Sequence, residues 1–463
     1  MDFSTIEFWL SLIPAVVLIG IGSVILRNRG SLRVHFQKYA LALTGLTLLG
    51  LASLNTLSIF LLVMLTAWFG CKWGNSKQPK TQKLLLIVLI VLQLLPLIYY
   101  KYADFICNDL AGAQWDTLRD VLIPIGVSFY TFQLIGFCID TLVRRQPMPK
   151  FIDFVNFASF FPQIVAGPIE RRADLLPQVQ NLNLSLRSTN LQAGIPYIIL
   201  GLFFKLAMAD NLAAAFYADY AGSNAITVWC NNLLFTFRIY FDFAGYGLTA
   251  YGIARCMGIR LRMNFLCPYT ATNITDFWRK WHTSLTLWFR DYIYFPLGGS
   301  RTKRWALNIL IVFIISGIWH GAGWNFIVWG AIAGIAIVAH RSFAKTGVKL
   351  PRAIGWGLTF GLMVFAWMFF YDTTPALLEH HLNVICTPAN YNLHAFVAEI
   401  TARKQPGTMV GMFIALSFAI IVVEALSARR NREEPYRYFL HPVAVGIMVL
   451  LLIQLNNPTP NTF

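Results

Sequence analysis

Long apolar stretches alternate with short basic ones along this chain. A first apolar run covers residues 8–26 and closes on Arg27, Arg29, Arg33 and Lys38. Residues 39–71 are apolar again and end at Lys72, Lys77, Lys80 and Lys83. With both basic groups on one side of a membrane, that interval goes in and comes back, as two short helices turning at Asn55 and Ser58. Runs at 84–100, 121–142, 190–216, 226–253, 353–371, 408–427 and 438–455 each have the length of a crossing helix. Residues 305–340 read as a second hairpin with His320 and Gly321 near its tip. Residues 151–169 are apolar but broken by Pro162, Gly167 and Pro168, the pattern of a re-entrant or interfacial segment.

The remaining basic groups fix orientation. Arg144, Arg145 and Lys150; Arg171 and Arg172; Arg255, Arg260 and Arg262; Arg341, Lys345, Lys349 and Arg352; and Arg429, Arg430, Arg432 and Arg437 all fall on the cytoplasmic side. The acid-rich loop 101–120 (Asp104, Asp109, Asp116, Asp120) and the longer loop 372–407 fall on the other. This tally gives eight full crossings, two hairpins and two interfacial or re-entrant pieces, with both termini outside. Asp2 and Glu7 replace the basic start of a cleaved signal, so the first run is expected to remain as a helix.

Composition agrees. The chain is 57% hydrophobic and 13% charged, about half the charge a water-soluble domain carries. No long polar linker divides it, so residues 1–463 are expected to form one integral all-α membrane domain. The net charge of +16 belongs to short cytoplasmic loops and forms no stripe on a soluble face, which argues against nucleic acid as a partner and leaves the lipid bilayer as the surrounding phase. The seven cysteines have no metal-ligand spacing, and a metal site is not expected.

The chemistry-bearing residues gather between Asn273 and Phe326. Taken as one helix, 275–290 places Phe277, Trp278, Trp281, Leu285, Trp288 and Phe289 on one arc, with Arg279, Lys280, Thr283, Thr286 and Arg290 opposite. Thr275 or Asp276 would cap it. An aromatic face against a basic one is the pattern of a helix lying in the bilayer interface. His282 sits on the boundary, open between structural and functional readings. His320 lies deep in an apolar hairpin beside Gly317, Gly321 and Gly323, where an imidazole is expensive to bury and suited to general-base work. Arg238 and Asp242 are four apart, so an intrahelical ion pair is expected there, with similar pairs at Asp140–Arg144 and Lys205–Asp210. From residues alone, Asp242, Arg238 and His320 could equally line the path of a proton-coupled transporter, although no inverted repeat of hydropathy supports that.

The stretches WRKWHTSLTLWFRDYIYFPLGGSR and SGIWHGAGWNFIVWG, with IPIGVSFYTFQ, FPQIVAGPIE, GLFFKLAMADNLA and IYFDFAGYG, closely resemble the membrane-bound O-acyltransferase family. The likeness runs in order from about residue 120 to 340 and is greatest to bacterial polysaccharide O-acetyltransferase subunits, with D-alanyl transfer to teichoic acid more distant. It implies a ring of transmembrane helices with short hairpins and interfacial helices around a central tunnel. It implies acetyl transfer from cytoplasmic acetyl-CoA, with no tightly bound cofactor, across a bacterial inner membrane; a D-alanyl or longer-acyl donor on the same fold is the alternative. The family's histidines fall on His320 and His282. Arg279, Lys280, Arg290, Arg301, Lys303 and Arg304 would meet the phosphates of acetyl-CoA, and Trp281, Trp319, Trp324, Asn325 and Asp242 would shape the pocket. In this branch a periplasmic partner hands the acetyl group to the polysaccharide. The chain ends NNPTPNTF with no tyrosine after Tyr438, so either the sequence stops short of the acyl-accepting residue or a partner brings it.

Overall fold

The computed structural model describes residues 3–113, 115–118, 121–184, 187–216, 220–372, 374–402, 407–430 and 435–455. Asp2, Asp120, Arg432 and the tail 456–463 lie outside them. Among the described residues every regular element is a helix, and the protein is a multi-pass all-α membrane protein. Seven helices among the described residues are long and apolar enough to cross a bilayer, over 6–25, 54–74, 79–102, 188–215, 324–344, 352–371 and 407–430. The chain forms two compact units, Met1–Ile198 with Gly247–Met263 and Ile199–Tyr246 with Asn264–Phe463.

In the first unit α1 (Ile6–Ile25), α2 (Gly30–Ala52), α3 (Leu54–Gly74), α4 (Pro79–Leu97) and α5 (Val127–Leu142) pack in succession, α3 and α4 both against α5. The expected short hairpin is a pair of full-length helices: α2 has 23 residues and α3 has 21. The turn falls at Ser53, whose hydroxyl accepts the Thr56 N–H at 3.4 Å. Past Pro96, which lacks an amide donor, α4 widens into π-helical turns over Ile98–Tyr102 and Phe105–Leu110, so the acidic loop is helical in its first half. The proline-broken segment becomes α6 (Phe151–Ala158) and α7 (Phe161–Ile164), followed by α8 (Arg172–Gln180); Phe154, Phe157, Phe160 and Phe161 are buried, so α6 and α7 are core rather than interfacial.

Two cations counted above as loop markers are also buried. Lys38 pairs with Asp153 at 2.6 Å and donates to the Gln180 carbonyl at 2.8 Å. Arg172 donates to the Thr141 hydroxyl and the Pro147 carbonyl and lies 4.8 Å over the Phe137 ring. The Asp140–Arg144 pair forms at 3.0 Å as its spacing requires.

The helix α9 (Ser188–Leu202) leads into the second unit, continues as a π-helical stretch, Phe203–Ala209, and ends in α10 (Asp210–Ala215). Next comes α11 (Ala225–Cys256), whose last turns return to the first unit. Two short helices, α12 (Ile274–Lys280) and α13 (Thr283–Phe289), precede a hairpin of α14 (Trp305–His320) and α15 (Trp324–Ala344). A Cβ on Gly317 would collide with the Phe326 carbonyl, and one on Gly330 with the Phe313 carbonyl, so these glycines let the two backbones touch. The chain continues through α16 (Arg352–Tyr371), α17 (Pro375–Cys386), α18 (Leu393–Thr401), α19 (Gly407–Arg430) and α20 (Pro442–Leu455).

The stretch 372–407, expected as an open loop, thus contains two helices. Its His381 places one ring nitrogen 2.7 Å from Asp372 and the other 2.7 Å from the Tyr220 carbonyl. Two acceptors call for two N–H donors, the cationic form. Burial opposes that charge, but the Asp372 hydrogen bond and charge prevail and raise the pKa of His381.

In the first unit Glu170 is fully enclosed between α7 and α8. One carboxylate oxygen accepts the Arg262 N–H at 2.7 Å, and the other meets no donor among the described residues. Burial pushes this carboxyl up to about 7. In the unfolded chain it titrates near the ordinary 4.5, so the folded protein holds the proton longer. The stability contribution is therefore full below about pH 4.5 and is lost as pH rises through about 7, by about 3 kcal/mol in all. Glu170→Gln is expected to flatten the decline of melting temperature between pH 5 and 8 in detergent. Parallel curves for the two proteins would contradict this assignment.

Candidate active site

The site begins with a helix that does not continue. Asn273 caps α12 by accepting the Asp276 N–H at 2.8 Å, ahead of the expected caps Thr275 and Asp276. The helix then stops at Lys280. Trp281 is extended, and His282 adopts the left-handed conformation, φ 43° and ψ 55°, before α13 starts. Non-glycine residues seldom enter that region, although histidine does so more readily than most. A neighbouring segment holds the break open: the Thr283 N–H donates to the Asn264 carbonyl at 2.8 Å, the Leu266 N–H to the Lys280 carbonyl at 3.0 Å, and the Ser284 hydroxyl to the Asn264 side chain at 2.6 Å. The single amphipathic helix expected over 275–290 is therefore two helices. Its aromatic arc, expected to face the bilayer interface, is buried inside the protein, and Thr283, assigned to the polar face, is buried too, because the break reorients α13.

The break turns His282 into the protein, where it is 3% exposed. Its ring lies 6.2 Å from Phe265, 6.1 Å from Trp319 and 6.5 Å from His320, the two imidazoles edge to face at 88°. Burial lowers its pKa to about 4, so this imidazole is neutral at physiological pH and keeps one N–H to donate. His320 ends α14 and stands edge-on to Trp329 at 5.2 Å and Phe370 at 5.3 Å. Both histidines line a cavity of about 40 Å³, together with Trp278, Trp281, Leu285, Phe289 and Phe313. Ser316, one turn before His320, and Thr286, one turn after His282, add hydroxyls to it.

Of the other residues proposed for the pocket, Trp281 lines the cavity, and Trp319 lies against both imidazoles. Trp324 is 56% exposed and outside the cavity. Asn325 is buried, its amide donating to the Phe369 carbonyl at 3.1 Å, which ties α15 to the end of α16. Asp242 does not line the cavity; it pairs with Lys205 at 2.8 Å, and Lys205 also reaches Asp210 at 2.9 Å. Arg238, the partner expected for Asp242, lies over the Phe216 ring at 5.8 Å. Among the basic residues, Lys280 pairs with Asp276 at 2.8 Å and Arg290 with Asp291 at 2.7 Å, while Arg279, Arg301, Lys303 and Arg304 are exposed.

Sequence reasoning did not single out Ser316, or a pocket role for Thr286 and Trp278. The i−4 and i+4 spacing from the two histidines was the available signal for the hydroxyls.

The sequence profile of the membrane-bound O-acyltransferase family matches residues 46–371, a range that includes every cavity residue. The chain belongs to the membrane-bound O-acyltransferase family. It is 36% identical to the peptidoglycan O-acetyltransferase of Helicobacter pylori over 337 residues, covering 64% of this chain and 63% of that protein. It is 36% identical to a probable alginate O-acetylase of Pseudomonas putida over 366 residues, 76% of this chain and 75% of that one. It is 28% identical to the teichoic acid D-alanyltransferase of Bacillus subtilis over 278 residues, 56% of this chain and 69% of that one.

The acyltransferase thus carries two histidines that the fold brings together from separate elements, one of them in a strained backbone. His282→Asn, which tolerates the left-handed conformation, is expected to keep the melting temperature near wild type while acyl transfer falls about 10²-fold. His282→Val, β-branched at positive φ, is expected to lose about 2 kcal/mol of stability as well. Equal stability of the Val and Asn variants would remove strain from this account. Full activity in His282→Asn would remove the imidazole.

Proposed function

We propose that the enzyme takes an acetyl group from acetyl-CoA at the cytoplasmic face of a bacterial inner membrane and delivers it, through an extracytoplasmic partner protein, to a polysaccharide. The reading is carried by the two imidazoles that line one cavity of about 40 Å³. That is room for about three waters or for a group as small as acetyl, and too little for a fatty chain. Relatives named for O-acetylation of peptidoglycan and alginate support acetyl as the group and polysaccharide as the acceptor class. A D-alanyl donor is the second reading. It would bring an ammonium group to a lining that contains no carboxylate.

In this mechanism His320 removes the proton from the incoming hydroxyl as its oxygen attacks the thioester carbonyl. The carbon–sulfur bond then breaks, and the imidazolium returns the proton to the departing thiolate. Neutral His282 donates a hydrogen bond to the carbonyl oxygen as it becomes an oxyanion. Trp278 is placed to be a second donor: its buried indole N–H meets no acceptor among the described residues. The exposed Arg279, Arg301, Lys303 and Arg304 offer phosphate contacts at the donor's entrance. The paired charges around Lys205 are closed ion pairs, which favours a structural role over a proton path.

The test is transfer from isotopically labelled acetyl-CoA in inverted membrane vesicles, with and without periplasmic partner candidates. Wild type is expected to place label in lumenal esters, and His320→Ala to reduce it at least about 10²-fold. Equal labelling by both would remove His320 from the chemistry. Label appearing only with D-alanyl donors would favour the second reading.

A further inference from the structure

At the far end of the α14–α15 hairpin from His320, the connector from α15 to α16 is unusually basic. Residues 324–371 contain no Asp or Glu, while Arg341, Lys345, Lys349 and Arg352 lie within them. Two of these cations are already occupied. Arg341 and Lys345 sit over the Trp305 ring at 5.3 and 4.7 Å, and Arg341 also donates to the Tyr294 hydroxyl at 3.3 Å. Lys349 and Arg352 make no ion pair or hydrogen bond with the described residues, and both line the same groove, of about 460 Å³. Two unmatched cations at one mouth, with no nearby acid on either helix, are an anion site waiting for a charge.

The rest of the groove selects the kind of anion. From Arg352 the lining descends α16 through Leu358 to Leu362, about 15 Å along the helix axis at 1.5 Å per residue. Val348 is 57% exposed and Leu358 is 62% exposed. A free phosphate would use only the cationic end and leave that apolar run uncovered. An amphiphile with an anionic head and an acyl chain fits both ends. The basic connector also belongs to the cytoplasmic side by charge, where the surface of a membrane supplies such heads. We propose that this groove binds one anionic phospholipid, its phosphate between Lys349 and Arg352 and the start of one acyl chain along Leu358 and Leu362.

The floor of the groove gives the lipid a lever on the site. Thr272, Asn273 and Ile274, the lead-in and cap of α12, form it. Gly355 packs so closely there that a Cβ would fall 2.5 Å from the Thr272 carbonyl. On the same floor His340 meets the Thr275 hydroxyl at 2.8 Å. A lipid seated here touches α15, α16 and the start of α12, the helix that stops two residues before His282.

The test is native mass spectrometry of the full-length enzyme in neutral detergent, titrated with dioleoylphosphatidylglycerol or dioleoylphosphatidylcholine. One phosphatidylglycerol is expected to bind in preference to phosphatidylcholine. The double variant K349S/R352S is expected to weaken it about 30-fold, roughly fivefold from each cation. Leu358→Trp, which fills the apolar end and keeps both charges, is expected to weaken it as well. Undiminished binding in the double variant would overturn the proposal, and so would undiminished binding in Leu358→Trp, which would point to charge alone. Displacement of the lipid by coenzyme A, with the same dependence on Lys349 and Arg352, would also overturn it and reassign the groove to the acyl donor.

Discussion

Two backbone hydrogen bonds govern the geometry around the cavity. The Thr283 N–H to the Asn264 carbonyl at 2.8 Å and the Leu266 N–H to the Lys280 carbonyl at 3.0 Å hold residues 264–266 alongside 280–284. In an uninterrupted helix those same groups would bond within the helix, and His282 would sit on the edge of an interfacial face. The segment that breaks the helix is itself anchored. The Phe265 carbonyl accepts the Tyr436 hydroxyl at 3.1 Å, and the Tyr436 oxygen lies 3.4 Å from that of Tyr240, which donates to Glu424 at 2.5 Å. Because all three side chains are fully buried, each bond is stronger than in water and costly to lose. The left-handed turn at His282 thus rests on a polar network that reaches α11 and α19.

The same physics explains how so basic a chain fills its apolar units. Charges that hydrocarbon would expel are matched within the protein: Lys38 with Asp153 in the first unit, and Lys205 between Asp210 and Asp242 in the second. His282 meets burial differently, by staying neutral. The connector between α15 and α16 is the contrast. It has cations and no acids, and it lies at a groove rather than in the core.

Much of this was legible in the sequence. Among the described residues, apolar run lengths located five of the seven helices long and apolar enough to span, while 54–74 and 324–344 fall within the runs expected as hairpins. The glycines around His320 marked a tight hairpin whose backbones do touch at Gly317 and Gly330. The 3.6-residue period gathered Trp278, Trp281 and Trp288 on one arc, but that arc packs inside the protein and not against the bilayer interface. What periodicity could not show was an interruption enforced from elsewhere in the chain. The break at His282 depends on Asn264 and Leu266, and nothing local, no proline or glycine, announces it. Counting Lys and Arg as loop markers likewise failed for Lys38 and Arg172, whose partners lie far along the chain. Asn325 was read beside His320 because it is near in sequence, whereas α15 turns its amide toward the Phe369 carbonyl. The long loop after α16 hid two helices because they are shorter than any crossing segment.

The central claim is that His282 and His320 act on one substrate in one cavity. A double-mutant cycle tests it most directly, with kcat/KM measured for His282→Ala, His320→Ala and the pair together. Groups that work as a unit are strongly non-additive, so the double variant should fall within about threefold of the worse single variant. Losses that simply multiply would show the two histidines acting independently and would contradict the account.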